Sequence, residues 1–536
     1  MRHTVLGIAI AGLAIVFCSR LARADVALYK VFERTVTNTN SYANKFIDVE
    51  LEAEFTSPSG TTTRWRGFFD GDGRGGGDCQ TGNTWRLRFM PDEVGTWDYA
   101  YSWTDGTAGG SGRFDCVRDG AGKGVIRAYQ DNPHWFAYNG TVPVFLKSYQ
   151  LYYEGLLHHD IDWTVSHVYR KLVDAGYNHL QIYLLPTSWY EPKTWTFADA
   201  PATVSRDHLF SGTDPSRTMK LLVFHNLDKH VAWLNDHDIG LLGHQGFDGK
   251  RDGPRFHDLS SSEQDFYIKY VCARLAPYAN ICGWNYTWET RGNGPELIWA
   301  DLIMKYDPWS HLRSYHDEWP DAGPEGQSGH YFSDPRYSLA NIENHVQDRT
   351  LLRSHEPWTH HLVTFSAYVE KPVFMSEGNG LWRWYWGAKE DEIHRNAWAI
   401  TTAGGSFCWT DHTEGGSSAT VLSWPTAKHR IDTLCDIMTK DVQFYRMDPH
   451  DELLNPIASG TTCYCLAEIG KQYLVYKEEG GGFDLDLATG QYGVTWIDTR
   501  TNERRSGGNV AGVGDPVHLS VPDDSTEWLL LLLNRR

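Results

Sequence analysis

The chain has 536 residues, with 49 Lys and Arg against 68 Asp and Glu, so its formal net charge at pH 7 is −19. This acidic balance argues against a nucleic-acid-binding protein, because neutralising phosphates requires a basic surface. Hydrophobic residues make up 41% of the chain and charged residues 22%, which excludes a disordered polymer and indicates two or three folded domains.

The first 24 residues have the organisation of a secretory signal peptide. A basic start at Met1-Arg2-His3 is followed by a short apolar run, Thr4–Phe17, and then by the small-residue site Ala22-Arg23-Ala24. The apolar run is too short for an ordinary transmembrane helix. The sequence therefore predicts cleavage after about Ala24 and a secreted or periplasmic protein with no membrane span.

Residues 25–119 alternate between apolar and polar side chains. Every second residue is hydrophobic in Val49–Phe55, in Trp85–Phe89 and from Trp97 to Trp103. Period-two runs between turn-forming residues indicate antiparallel strands, so an N-terminal β-sandwich is predicted. Cys79 and Cys116 both lie in this segment, and they are the preferred disulfide among the cysteines that follow the signal peptide.

The same segment contains the spacing Gly-x-Gly-x-x-Gly, at Gly71–Gly76. A dinucleotide site needs a helix directly after those glycines, and here a strand pattern follows. The cysteines include no Cys-x-x-Cys pair, which argues against a zinc ribbon or a redox site. We therefore expect neither a cofactor nor a metal ion.

From residue 120 to 451 the pattern changes to short apolar strands that alternate with helical runs. This alternation over about 330 residues is typical of an eight-stranded parallel (β/α)8 barrel, with a doubly wound open sheet as the alternative. The predicted strands are Val142–Leu146, His179–Leu185, Ile239–His244, Ile281–Asn285, His311–Tyr315, Ser338–Ile342, Pro372–Met375 and Ser406–Trp409. The predicted helices are Thr164–Ala175, Leu221–Asn235, Glu263–Tyr278, Glu296–Tyr306 and Asp391–Ala403.

Residues 452–536 return to strand patterns that are separated by glycine-rich turns. Apolar runs occur at Tyr473–Tyr476, at Tyr492–Trp496 and at Trp528–Leu533. A second antiparallel β-sandwich is predicted here. The expected fold class is therefore α/β, with a central barrel flanked by an N-terminal and a C-terminal β-sandwich.

Two carboxylates follow strands that face each other across the predicted barrel. Glu289 comes after the fourth strand and Glu377 after the seventh, at the strand ends where barrels carry their chemistry. In glycoside hydrolysis one carboxylic acid protonates the leaving oxygen, and the other carboxylate attacks or activates water. The sequence predicts Glu377 as nucleophile and Glu289 as general acid/base of a retaining enzyme.

The tryptophans support a saccharide substrate, because aromatic rings stack on the faces of sugar rings. Twelve of the 23 Trp lie between Trp284 and Trp424. The predicted substrate-binding residues are Trp284, Asn285, Trp288, His244, His316, Tyr149, Trp382, Trp384 and Trp409. Weaker candidates at strand ends are Gln150, Asp248, Asp317, Glu318, Glu343, Asp411 and His412, of which Glu343 is the first replacement for either catalytic carboxylate.

Several motifs resemble a group of extracellular glycoside hydrolases that have a DUF5060-type N-terminal domain, an apiosidase-like (DUF4038-type) barrel and a C-terminal module labelled collagen-binding. The residues that carry the resemblance are Gly67–Gly71, Trp85–Phe89, Pro91–Trp97, Pro372–Gly380 and, for the last module, Tyr492–Arg500. The resemblance implies a carboxylate at Glu289 and another at Glu377. Related retaining barrels place an Asn immediately before the acid/base Glu, whereas Trp288 has that position here and Asn285 lies four residues before Glu289.

Two other functions fit the same residues. A non-catalytic carbohydrate-binding or adhesion protein would use the tryptophans and need neither carboxylate. A polysaccharide lyase would need a His/Tyr pair, drawn from His244, His316 and Tyr149, together with a cation that neutralises the substrate's carboxylate.

Overall fold

The computed structural model describes residues 25–151, 160–182, 184, 210–211, 217–243, 259–286, 295–318, 334–344, 360, 363, 370–378, 381, 389–412, 417–455, 462–478, 480–524 and 527–535. The signal peptide predicted for residues 1–24 lies outside these ranges. No helix within them combines the length and the apolar character that crossing a bilayer requires.

The N-terminal region is a two-layer β-sandwich. Its strands are β1 (Asp25–Ala27), β2 (Phe32–Thr37), β3 (Leu51–Thr56), β4 (Thr62–Arg66), β5 (Phe68–Phe69), β6 (Thr84–Phe89), β7 (Gly95–Trp103) and β8 (Gly110–Val117). One sheet has the order β1-β8-β7-β3-β4 and the other β2-β6-β5. In β3 the apolar residues are buried and the glutamates exposed, as the period-two pattern predicts. The stacked rings of Phe55 and Phe89, 4.0 Å apart, join the two layers.

The preferred disulfide of this domain was predicted wrongly, because Cys79 and Cys116 are both free thiols. Cys116 lies in β8, in register with Val26 and with Gly95. Cys79 lies in the loop before β6, where its carbonyl accepts a hydrogen bond from the Lys45 amide. The other cysteines of the described residues are free as well.

A three-stranded antiparallel sheet follows, formed by β9 (Ile126–Tyr129), β10 (Asn132–Tyr138) and β11 (Val142–Val144). The strand expected at Val142–Leu146 as the first of the barrel is therefore wrong: it pairs with β10 instead. The first barrel strand is β12 (Ser148–Leu151). Sequence analysis missed it because two of its four residues, Ser148 and Gln150, are polar, while Pro143 is compatible with an edge strand such as β11.

The central region is the expected parallel barrel. After β12 its strands are β13 (His179–Ile182), β16 (Gly240–Gly243), β17 (Ile281–Asn285), β18 (Leu312–Ser314), β19 (His316–Glu318), β20 (Ala340–Asn344), β21 (Val373–Gly378) and β22 (Ser406–Trp409). A two-stranded ribbon, β14 (Phe210–Ser211) and β15 (Thr218–Met219), lies between β13 and β16 in the chain. The barrel order is β18-β17-β16-β13-β12-β22-β21-β20-β19, and all pairs are parallel.

β18 and β19 together form the fifth strand of the barrel. β18 pairs with β17, and after Tyr315 the chain continues as β19, which pairs with β20. The change of partner at Tyr315 closes the ring of eight strands.

The five predicted helical runs are all present, and an unpredicted helix follows them at residues 425–436. The helices are α1 (Ile161–Thr164), α2 (Arg170–Asp174), α3 (Leu221–Asp236), α4 (Ser261–Leu275), α5 (Pro295–Tyr306), α6 (Ile393–Thr402) and α7 (Pro425–Asp436). A π-helical turn, Val165–Tyr169, joins α1 to α2. α4 begins with a capping box between Ser260 and Glu263, which satisfies backbone N–H groups of its first turn.

A buried ionic cluster joins the N-terminal sandwich to the barrel helices. Asp228 of α3 accepts paired hydrogen bonds from Arg88 of β6, at 2.7 and 3.0 Å, and from Arg274 of α4, at 2.8 and 3.1 Å. Arg274 also donates to Asp70 at 2.8 Å, and Asp70 accepts from Arg86 at 2.5 Å. The side chains of Arg274 and Asp70 are fully buried. The two domains therefore share one polar network rather than a flexible linker.

The C-terminal region is the second expected β-sandwich. Its strands are β23 (Asp448–Pro449), β24 (Leu454–Asn455), β25 (Cys463–Glu468), β26 (Gln472–Lys477), β27 (Gly482–Asp486), β28 (Gly490–Asp498), β29 (Arg504–Gly512), β30 (Pro516–Ser520) and β31 (Trp528–Asn534). The sheets have the orders β23-β25-β26-β31-β28-β29 and β24-β27-β30. It packs on α6, where His394 lies 2.5 Å from Glu527 and the Trp398 ring stacks on Tyr476.

Candidate active site

Glu377 is the penultimate residue of β21. Its side chain is 2% exposed, and every residue of β21 is buried. The sequence places Glu377 just beyond a strand that ends at Met375, but the strand continues to Gly378 because β20 runs beside it and pairs Glu343 with Glu377. The carboxylate is thus positioned by a sheet at the C-terminal end of a barrel strand, where barrel enzymes carry their chemistry.

Contacts across the barrel identify its inner face. The Cys408 thiol of β22 donates a hydrogen bond to Gln181 Oε1 of β13 at 2.6 Å, although β12 lies between these strands. Ser148 Oγ is 2.6 Å from His179 Nδ1, and the rings of His179 and Phe374 are 5.4 Å apart. Because β13 and β21 are not neighbours, these side chains point into the barrel interior.

Strand register extends this assignment to the candidate site. Residues in register on parallel strands share a face, as do alternate residues of one strand. Phe374 is in register with Asn341, and Asn341 with His316. Gln150 is in register with Gln181. All of these positions therefore belong to the inner face.

Three glutamates occupy adjacent positions at the strand ends. Glu318 of β19 is in register with Glu343 of β20, and Glu343 is in register with Glu377. A register shift between Ile342 and Glu343 leaves Ser376 of β21 without a register partner on β20. Glu377, three residues after Phe374, therefore takes the position opposite residue 343, which lies two residues after the inner-face position Asn341. The strand register thus places three glutamate positions side by side at the ends of the fifth, sixth and seventh strands.

Asn285 and His316 also belong to this interior. Asn285 is the last residue of β17, is 2% exposed and is in register with Ser314. His316 is fully buried and follows Ser314 by two residues. Two of the predicted substrate-binding residues are therefore on the same barrel face as Glu377.

Trp284, Tyr149 and Trp409 have a different location from the one expected. Each neighbours an inner-face residue in its strand and so points outward. The Trp284 indole donates a hydrogen bond to Asp307 Oδ2 at 2.9 Å, and the Trp409 indole donates to Tyr177 Oη at 2.9 Å. All three side chains are at most 1% exposed. Their expected stacking on a sugar is corrected to packing between the barrel and its helices.

Hydrogen bonds of Tyr149 and Asp411 hold the segment that follows β22 in place. Tyr149 Oη donates a hydrogen bond to Asp411 Oδ1 at 2.5 Å, and the same carboxylate accepts from the amides of Leu422 and Trp424. Burial raises the pKa of Asp411 above its usual value, against the effect of these hydrogen bonds. Burial, followed by the charge of Asp411, raises the pKa of the Tyr149 phenol. This pair has a structural role, which removes Tyr149 from the residues that a lyase would need.

Several predicted residues lie outside the described ranges. They are Glu289, Trp288, His244, Asp248, Trp382 and Trp384. His412 is described, is 1% exposed, and its Nδ1 lies 3.0 Å from Thr420 Oγ1.

Sequence reasoning missed Asn341, Gln181 and His179, all fully or almost fully buried on the inner face. Polar residues at every second position of an apolar strand would have been the signal. Burial lowers the pKa of His179 to about 3, so this ring is neutral at physiological pH and suited to hydrogen bonding rather than proton transfer. Within the described part of the chain, no three His, Cys, Asp or Glu side chains are arranged to hold a metal ion.

Comparison with protein families gives one match. Residues 25–104, which form most of the N-terminal sandwich, match the model of a domain of unknown function, DUF5060. No curated protein matches the chain.

Solved structures with the same fold are glycoside hydrolases by their descriptions. A candidate glycoside hydrolase from Bacteroides vulgatus has a TM-score of 0.70 at 19% identity, over 95% of this chain and 100% of its own. A glycoside hydrolase family 5 protein from the same species has a TM-score of 0.58 at 15% identity, over 77% and 93%. A third glycoside hydrolase has a TM-score of 0.56 at 13% identity, over 77% and 97%. These similarities establish a glycoside hydrolase-like fold.

Proposed function

We propose that the protein is a secreted glycoside hydrolase that cleaves O-glycosidic bonds in an oligosaccharide or polysaccharide. The observation that carries the proposal is Glu377, a carboxylate that is almost fully buried on the inner face at the C-terminal end of a barrel strand. A buried carboxylate at that end of a barrel strand is typical of catalysis. The glycoside hydrolase-like fold is consistent with this chemistry.

In the proposed mechanism Glu377 attacks the anomeric carbon while the carboxylic acid of Glu289 donates its proton to the leaving oxygen. The glycosidic C–O bond breaks and a glycosyl ester of Glu377 forms. Glu289, now a carboxylate, removes a proton from water, which attacks the anomeric carbon and releases Glu377. Retention of configuration requires the two carboxyl groups to be about 5–5.5 Å apart.

Glu289 follows Asn285, the last residue of β17, by four residues. Four residues of chain span at most about 14 Å, and this short separation supports the proposal that Glu289 acts at the barrel mouth. Glu343 is the competing partner, because it is in register with Glu377 on the adjacent strand. A test of the mechanism has to separate these two glutamates.

The experiment measures glycan cleavage by the wild-type protein and by Glu377→Gln, Glu289→Gln and Glu343→Gln across a panel of polysaccharides, with the product anomer followed by NMR. We expect Glu377→Gln to lower kcat by at least about 10³-fold, since it removes the nucleophile. On an aryl glycoside whose leaving group departs without protonation, azide, which attacks without a general base, should restore turnover to Glu289→Gln. Azide rescue of Glu343→Gln instead would transfer the acid/base role to Glu343.

Glu527→Gln is the matched control, because Glu527 is equally buried but contacts His394 and Arg395 at the C-terminal domain. It should lose stability and keep kcat. Wild-type turnover by Glu377→Gln would refute the proposal. Tight glycan binding by a wild-type protein that cleaves nothing would replace it with the carbohydrate-binding function.

A further inference from the structure

Three inner-face side chains of the barrel have buried polar atoms without hydrogen-bond partners in the described structure. They are the amide nitrogen and oxygen of Gln150, the same two atoms of Asn341, and the hydroxyl of Ser314. Gln150 and Asn341 are 0% exposed, and Ser314 is 1% exposed. Leaving such groups unsatisfied costs free energy, and apolar residues of the same shape would avoid that cost.

These amides lie on strands close to β21, which carries Glu377. Asn341 precedes Glu343 by two residues on β20, and Gln150 lies on β12, two strands away from β21. A primary amide presents one acceptor and two donor hydrogens, which matches hydroxyl groups that both donate and accept. Two amides on one barrel face therefore suit a ligand that carries several hydroxyls.

The charges of the barrel residues narrow the class of ligand further. Among the described strand residues of the barrel the one Lys or Arg is Arg313, and it points outward, where its Nε donates to the Arg336 carbonyl at 2.6 Å. The inner face instead has the buried carboxylate of Glu377. An anionic sugar would meet the Glu377 carboxylate and no described cation on these strands, and this repulsion disfavours it.

We propose that the sugar at the reacting position is uncharged, and that the amides of Gln150 and Asn341 hydrogen-bond its hydroxyl groups. This inference rests on the proposed glycoside hydrolase function and adds the substrate class and two specificity-determining residues. The amides have no hydrogen-bond partners among the described residues, and the sugar supplies partners when it binds. Keeping these two amides therefore lowers the stability of the free enzyme but allows it to recognise the sugar.

The first experiment compares 4-nitrophenyl glycosides of neutral hexoses, 6-deoxyhexoses and pentoses with 4-nitrophenyl glucuronide and galacturonide. We expect the wild-type enzyme to favour a neutral glycoside by at least about 10-fold in kcat/KM. Values for a uronide that equal or exceed those of the best neutral glycoside would overturn the assignment.

The second experiment uses Gln150→Met and Asn341→Leu, which keep side-chain volume and remove the amides. Each should lower kcat/KM by roughly 10- to 100-fold, while the Tm stays the same or rises because no hydrogen bond of the free enzyme is lost. Gln150→Asn retains an amide and should recover part of the activity. With a series of deoxyglycosides, the penalty should vanish for the substrate that lacks the contacted hydroxyl.

Asn280→Leu is the matched control. Asn280 is also a buried amide, but it donates to the carbonyls of Val231 and Ile239 at 3.3 and 3.2 Å. This variant should lower the Tm and leave KM unchanged. Wild-type kcat/KM in both Gln150→Met and Asn341→Leu would overturn the role of the amides.

Failure of the proposed function has a different signature. If no glycoside is cleaved, the Tm of the wild type and of Gln150→Met is measured with neutral methyl glycosides. A rise in the wild type that is absent in the variant would keep the neutral-sugar site and reject hydrolysis. No rise in either protein would reject the site as well.

Discussion

The contact between the N-terminal sandwich and the barrel differs from the barrel interior in how its buried polar groups are satisfied. At the contact, Asp228 has two guanidinium partners, Arg88 and Arg274. In the interior, Gln150 and Asn341 are just as buried and have amide atoms without partners in the described structure. Complete pairing is what a structural network requires, whereas unpaired groups are tolerated where a ligand completes them. Equally buried polar groups thus stabilise the contact between the two domains in one region, and are available to bind a ligand in the barrel interior.

The largest expected change in stability comes from removing a partner in the fully paired cluster between the two domains. Arg274→Met removes the fully buried guanidinium that contacts both Asp228 and Asp70, so we expect a loss of about 3–5 kcal/mol in the free energy of unfolding. Denaturant unfolding measures it, with kcat of the folded protein unchanged. Arg64→Met is the control, since its pair with Glu54 is exposed and is expected to contribute about 0–1 kcal/mol. Equal effects in the two variants would contradict a special role of the buried cluster.

Acid should weaken the same cluster. Burial raises the pKa of Asp228, but the charges of Arg274 and Arg88 outweigh it and lower the pKa to about 2. A carboxylate whose pKa is lower in the folded state stabilises the fold above its unfolded pKa of about 3.9, and this contribution disappears as the pH falls toward 2. We expect about 2–3 kcal/mol of stability to be lost in this window.

Unfolding free energies measured between pH 5 and pH 2 test this expectation. Asp228→Asn should be less stable than the wild type at pH 5 and should depend less on pH below 4. Parallel pH curves for the two proteins would show that Asp228 is not the titrating group.

The smallest expected change in stability concerns two tryptophans on the outer face of the barrel strands. Trp284→Phe and Trp409→Phe each remove one buried indole hydrogen bond, to Asp307 and to Tyr177. We expect each variant to lose about 1–2 kcal/mol of stability and to keep the wild-type KM, because these rings do not face the interior. Calorimetry and glycoside kinetics measure both quantities. A large rise in KM would return these tryptophans to the substrate site.

The fold was predictable because its signals are local and periodic. Period-two alternation identified β3 and β7, and the 3.6-residue pattern identified α3 and α4 within a few residues. β12 was not identifiable from apolarity because its inward positions, Ser148 and Gln150, are polar. An apolar stretch that was available instead, Val142–Leu146, contains the edge strand β11.

The candidate site was predictable only in part. Glu377 could be recognised because a carboxylate in an apolar strand has no packing role. The direction of Trp284 and Trp409 could not, since a shift of one residue in a strand exchanges the inner and outer faces. Asn341 became visible only through register with Phe374, which is set by contacts between distant segments.

The change of strand partner at Tyr315 has a mechanical consequence. There the wall of the barrel continues through covalent backbone bonds between β18 and β19, not through an inter-strand ladder. A force that expands the barrel must therefore separate strands elsewhere. On the opposite side, β12 and β22 share the register pairs Ser148–Cys408 and Tyr149–Trp409, and the rings of Tyr149 and Trp409 pack edge to face at 5.5 Å. The barrel wall is thus held by the peptide backbone between β18 and β19. On the opposite side it is held by the hydrogen bonds between β12 and β22 together with the contact of the Tyr149 and Trp409 rings.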